Sequence, residues 1–224
     1  MNDKIVLSLV TFIIISFFLN IYIKELKNKN YNNFKYNYRE YENFITEKER
    51  LKFIKNINSN KYIEDNPLSD EFEKTRGLVI NFNKSNDYNK FKSKGLEFIY
   101  DYYKKIRKSY ATDFVFNILI IDSININDKS INEQSIKYHH DTTLDITYEN
   151  KFITQDLVPE VVSVLYVDTP NNFKNGNLKM YKYSRLYHVG DVKPKKRKLV
   201  EFNGTIFHGV EKIIDIDNNN GKRI

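Results

Sequence analysis

The apolar pattern opens with one long run. Residues 5–23 are hydrophobic except for Ser8, Thr11, Ser16 and Asn20. As a helix this run reaches roughly 28 Å, close to the thickness of a bilayer core. No small-residue cleavage site follows, so the pattern predicts a retained transmembrane anchor over residues 1–28 rather than a removed signal peptide. An Asn-, Lys- and Tyr-rich stretch at 29–38 reads as a tether. Beyond it, Tyr41, Phe44, Leu51 and Ile54 recur near helical spacing and predict a helix over 39–55. Residues 77–82 predict a short strand. Ser85, Asn86 or Asp87 then caps a helix running to about 109, with Phe91, Phe98, Tyr102 and Ile106 as its stripe.

From residue 113 the period changes. The continuous apolar run 114–121 predicts a buried strand. Shorter strands follow at 136–141, 158–167, 177–183, 199–202, 205–210 and 211–216, separated by polar turns. Helices first and many short strands afterwards predict a mainly β, α+β chain. Its expected architecture is a helical support region at 39–112 and a double-stranded β-helix (jelly-roll) core at 113–224.

Composition narrows the chemistry. The 224 residues contain no cysteine, which excludes disulfides, Cys-ligated zinc and thiol nucleophiles. The net charge of +7 is spread along the whole chain and reads as a basic, solvated surface. No aromatic-basic motif rises above that background, so no specific nucleic-acid binding is expected. Lys24, Lys27 and Lys29 outweigh Lys4 across the apolar run, a bias that favours a cytoplasmic domain without excluding a lumenal one.

Candidate chemistry concentrates in the histidines, of which there are four. His139 and Asp141 stand two apart on a predicted strand and project from one face, while His140 points to the other. His208 ends a second apolar run, and His188 reads as a surface residue. Two histidines and one carboxylate on one side of an ion leave adjacent coordination positions open, an arrangement suited to non-haem Fe(II) oxygen chemistry.

The order of motifs adds a resemblance over residues 110–224. His139 and Asp141 are followed by 163–168, 173–178, 192–194, 199–202, His208–Val210 and Gly221–Arg223. This series resembles the iron- and 2-oxoglutarate-dependent oxygenases, nearest their prolyl 4-hydroxylase-like branch. The resemblance implies that His139, Asp141 and His208 ligate Fe(II), that Arg223 pairs with the far carboxylate of 2-oxoglutarate, and that the Tyr166 hydroxyl stands near the same carboxylate. It implies hydroxylation of a peptidyl side chain, prolyl before lysyl, with succinate and CO₂ released and ascorbate sustaining turnover. The alternative is a membrane-tethered β-helix binding module that is non-catalytic or holds metal structurally. Departures from the family pattern fall at Asn175–Gly176, where a glycine pair is usual, and at Arg197–Lys198. The long gap between His208 and Arg223 leaves Lys212 and Lys222 as other candidates for the carboxylate.

Overall fold

The computed structural model describes residues 37–65, 75–125, 134–141, 158–183, 185–217 and 221–224. The chain divides into two compact units, Met1–Tyr36 and Asn37–Ile224, and every described residue belongs to the second. The apolar run at 5–23 and nearly all of the expected tether lie outside the described residues. Among the described residues no helix is long and apolar enough to cross a membrane.

Fourteen short strands and three short helices make up the described part. In chain order they are β1 (Tyr38–Tyr41), α1 (Glu47–Asn58), β2 (Glu64–Asp65), β3 (Thr75–Asn83), α2 (Asp87–Ser93), α3 (Tyr100–Ile106), β4 (Asp113–Asp122) and β5 (Ile124–Asn125). They continue with β6 (Gln134–His139), β7 (Val161–Leu165), β8 (Phe173–Asn175), β9 (Leu178–Lys182), β10 (Tyr187–Val192), β11 (Leu199–Asn203), β12 (Phe207–Glu211), β13 (Ile213–Asp215) and β14 (Lys222–Arg223). The described residues are mainly β, and their pairings are antiparallel apart from β13 with β5. Strands are ordered β1-β11-β7, β10-β9-β12-β6, β5-β13-β8 and β14-β4-β3-β2 in four sheets.

Two cores flank the β1-β11-β7 sheet, and β11 serves both because its residues alternate sides. Val200 and Phe202 join Tyr166, Leu178, Met180, Val192, Ile206 and Val210 in one core, alongside the β10-β9-β12-β6 sheet. Leu199 joins the other, with Phe53, Ile57, Phe91, Tyr102 and Tyr103 of the helices and Leu78, Ile80 and Phe82 of β3. On that second side the buried Glu201 carboxylate accepts from Lys108 Nζ at 2.7 Å and Tyr41 Oη at 3.3 Å, which satisfies a charge that burial would otherwise penalise.

Two helix expectations need correction. The helix expected over 39–55 begins at Glu47, because Tyr38–Tyr41 pairs with β11 instead. Asn43 then takes a positive φ of 53°, and Thr46 starts the helix with a capping box. Leu51, assigned to the apolar stripe, is 54% exposed; Ile45, Phe53 and Ile57 are buried in its place. The single helix expected from the 85–87 cap to 109 is broken into α2 and α3. Gly95 adopts φ 65° and turns the chain between them, which lets Leu96 and Ile99 enter the core. The strand β10 is an addition that the mixed polar sequence of 187–192 did not announce.

Candidate metal centre

His139 ends β6 and His208 lies in β12. These strands are antiparallel neighbours in which the two histidines are direct partners. A nominal stagger would not bring them together so neatly, because β6 advances three residues from Ile136 to His139 while β12 moves only two, from Val210 to His208. The extra residue is a bulge, a device that re-aims a side chain. It leaves both Ile136 and His139 on the interior side. The ring centroids of His139 and His208 are 4.6 Å apart.

Asp141 completes the group. Its Oδ1 lies 3.3 Å from His139 Nε2 and its Oδ2 lies 3.7 Å from His208 Nε2. One ligand atom from each of the three residues can be chosen so that all lie within 4.8 Å of one another, a set able to hold a metal ion. The backbone fixes which ring nitrogen faces inward. His139 Nδ1 stands 2.8 Å from the Lys137 carbonyl and His208 Nδ1 stands 3.0 Å from that of Ile206. A carbonyl only accepts, so each Nδ1 carries the proton and each Nε2 offers a lone pair.

The electrostatics agree with that role. Burial, the largest influence, lowers the His208 pKa below the usual histidine range, keeping the ring neutral and able to ligate. Burial pushes the Asp141 carboxyl up, but the His139 hydrogen bond and the three nearby imidazoles outweigh it and hold the group below the usual carboxylate range. The face of Phe202, fully buried on β11, meets His208 edge-on at 4.9 Å. Its contribution was not singled out from sequence, although alternation along 199–202 puts it beside Val200's core.

His140 and His188 stand elsewhere. His140 turns to the opposite face of the sheet, 4.9 Å from the Phe207 ring. The half-exposed His188 ring nitrogen pairs with Asp191 Oδ1 at 2.7 Å. On that outer face Tyr138 lies across Gly209, stacks with Phe207 and is capped by Arg185 at 4.5 Å.

Arg223 and Tyr166 are brought together. The Arg223 guanidinium lies 4.6 Å over the Tyr166 ring and donates from Nη1 to the Gly176 carbonyl at 3.1 Å. Both residues are buried. Burial lowers the Arg223 pKa and raises that of Tyr166. Among the described residues no carboxylate pairs with Arg223, and the Tyr166 hydroxyl has no hydrogen-bond partner. A buried cation beside an orphaned hydroxyl suits an incoming carboxylate, since each group left alone carries a desolvation cost. Lys222 alternates with Arg223 on β14 and lines a surface cleft of about 210 Å³ with Asp168, Asp215 and Asp217. Lys212 is buried and already engaged.

No family model matches the chain, and no curated protein matches it. Among solved structures, IDO from Bacillus thuringiensis aligns with 84% of this chain and 86% of its own, at 13% identity and a TM-score of 0.48. A Pseudomonas putida prolyl-4-hydroxylase aligns with 84% of this chain and 89% of its own, at 13% identity and a TM-score of 0.45. At such scores neither likeness carries a functional conclusion.

Proposed function

We propose that the chain is an Fe(II)- and 2-oxoglutarate-dependent oxygenase on a double-stranded β-helix, hydroxylating a peptidyl side chain, prolyl before lysyl. The observation that carries this reading is the convergence of His139, Asp141 and His208 with both imidazole Nε2 atoms presented inward. Two neutral imidazoles and one carboxylate favour a divalent ion with free coordination positions. The buried Arg223, which pairs with no carboxylate among the described residues, and the Tyr166 hydroxyl without a hydrogen-bond partner supply a second support, because they fit a carboxylate-bearing co-substrate.

When bound, iron and 2-oxoglutarate supply the oxidising chemistry that converts a substrate C–H to C–OH. The residues orient and shield. Lys137 and Ile206 carbonyls lock the two imidazoles, and the Arg223 fork would hold a carboxylate through charge-assisted hydrogen bonds. The Tyr166 hydroxyl, kept protonated by burial, would donate a hydrogen bond to the same carboxylate. The apolar wall of Phe202, Met180 and Val210 limits water around the group.

The test is succinate release by the purified protein with Fe(II), 2-oxoglutarate, ascorbate and candidate prolyl or lysyl peptides. Turnover stimulated by a prolyl peptide supports the reading. One bound metal with no succinate from any peptide would point to the metal-holding binding module instead.

A further inference from the structure

The β9–β10 hairpin reaches past its sheet. β12 pairs with β9 only as far as Phe207 with Tyr181, whereas β10 follows β9 one step further, to Tyr187 with Lys182. The turn beyond is tight, with Leu186 N donating to the Tyr183 carbonyl at 3.1 Å. Tyr183 and Arg185 take positive φ values of 53° and 81°, a backbone that costs energy for residues other than glycine. This turn holds Leu186 and Tyr187 outward, at 78% and 57% exposure. Leu186 is the most exposed large apolar residue among those described.

Charge is sorted along the same four strands. Asp191 and Glu211 lie towards the far end, where both pair with Lys179, at 3.3 Å and 3.0 Å. Asp191 also meets His188. The end that carries the hairpin tip holds Lys137, Lys182 and Arg185. Among the described residues of this sheet the one carboxylate at that end is Asp141, which belongs to the metal group. The Arg185 guanidinium rests on the rings of Tyr138 and Tyr181, at 4.5 Å and 6.0 Å, beside the exposed apolar pair. An aliphatic tip, a tyrosine and a cation therefore share one protruding turn.

We propose that this hairpin tip docks on an anionic lipid surface, with Leu186 and Tyr187 entering the headgroup boundary and Arg185 meeting lipid phosphates. Leu186 gains by taking its apolar surface out of water. Tyrosine suits the boundary because its ring is apolar and its hydroxyl stays wet. A cation close to an anionic leaflet adds attraction. Nucleic acid offers phosphates too, but Leu186 has no ring to stack on a base, so its exposure favours the lipid. The contact uses no metal ligand and is additional to any anchor formed by residues 5–23.

The sequence contains no tryptophan, so Leu186→Trp places a single fluorescent reporter at the tip. The full chain carrying it is mixed with phosphatidylcholine vesicles that contain brominated acyl chains, with and without phosphatidylserine. Emission should move to the blue and be quenched severalfold more than in Leu51→Trp, a reporter on α1 at another exposed leucine. Insertion of residues 5–23 would be common to both variants, so the difference between them reads the tip alone. Adding Arg185→Gln should weaken the phosphatidylserine-dependent part about fivefold. Tyr187→Trp carries the comparison if Leu186→Trp does not fold. Emission that vesicles leave unchanged, or equal quenching at the two positions, overturns the proposal. So does a blue shift without lipid that grows with protein concentration, which would assign the tip to a second copy of the chain. A shift produced by a single-stranded oligonucleotide and not by vesicles would assign it to nucleic acid and overturn the proposal as well.

Discussion

Arg223 and Tyr166 show how much of the proposed chemistry hangs on two buried side chains. A guanidinium held over an aromatic ring gains from cation–π attraction, yet burial without an acid still costs stability. Arg223→Ala is expected to reduce 2-oxoglutarate binding by about 2–4 kcal/mol, seen in calorimetric titration, while metal affinity stays. Arg223→Lys should restore part of the loss, keeping charge but not fork geometry. Tyr166→Phe gives an opposite pair of signs. In the ligand-free protein it removes an unsatisfied buried hydroxyl, so thermal stability should hold or rise, by up to about 1–3 kcal/mol. Its 2-oxoglutarate affinity should fall. A loss of stability with no change in affinity would mean the hydroxyl has another role. Both residues were named by the family resemblance, from an arginine after the distal histidine and a tyrosine on an inner strand, and the structure stacks one on the other. What the resemblance could not supply is that stacking, since it depends on β14 returning to β4.

At the scale of elements, local signals succeeded where the chain's own neighbours decide the conformation. The β3 and β4 strands follow the alternation of Leu78, Ile80 and Phe82 and of Ile118 and Ile120. They failed where a distant partner decides. Tyr38–Tyr41 has helix-compatible spacing, but β11 offers it backbone hydrogen bonds and the strand prevails. The capping box that follows is open to test. Thr46 Oγ1 accepts from Glu49 N at 3.2 Å, and the Glu49 carboxylate accepts from Thr46 N at 2.7 Å. Thr46→Ala should cost about 1 kcal/mol in chemical denaturation. The Thr46 backbone bond, aided by the Thr46 hydroxyl and Lys105, lowers the Glu49 pKa to about 2. Its stabilisation is therefore full above the ordinary carboxylate range and is lost as pH falls towards about 2. Glu49→Gln should flatten that part of the stability profile; an unchanged acid limb would remove Glu49 from it. Beside the candidate metal centre, Gly209 admits Tyr138 across β12. Gly209→Ala puts a Cβ 2.8 Å from the Tyr138 ring and 3.1 Å from the Ile136 carbonyl, so β6 must shift. Metal affinity should drop in that variant, whereas a side-chain-only effect on the outer face would leave it intact.

For the whole molecule, charge reads differently in three dimensions than along the chain. The basic run at 193–198 holds five Lys or Arg in six residues. Folded, Lys195 pairs with Glu42, Lys196 with Asp168, Arg197 with Glu47, and Lys198 with Glu40 and Glu42. Glu40, Glu42 and Glu47 at β1 and the start of α1, with Asp168 after β7, pair with these four cations, a relation no linear scan reveals. The membrane expectation belongs to this scale too. If residues 5–23 anchor the chain, carbonate extraction leaves the full-length protein in the membrane pellet and a chain starting near Lys29 is soluble. Full-length protein in the carbonate supernatant would sink that expectation. The site itself was legible as a set of residue types, although the strand expected over 136–141 ends at His139 and Asp141 reaches the group from just beyond it. Its closure by His208 depends on the β6–β12 pairing and on a bulge that no periodicity marks.

Metal binding by single variants tests the central claim most directly. Mn(II) titrated calorimetrically into the wild-type chain should bind at one equivalent. His139→Ala, Asp141→Ala and His208→Ala should each lose that site, since any deletion leaves too few donors. His140→Ala should keep it, because its ring lies against Phe207 on the opposite face. A His140→Ala variant that loses the metal beside a His139→Ala variant that keeps it would contradict the account.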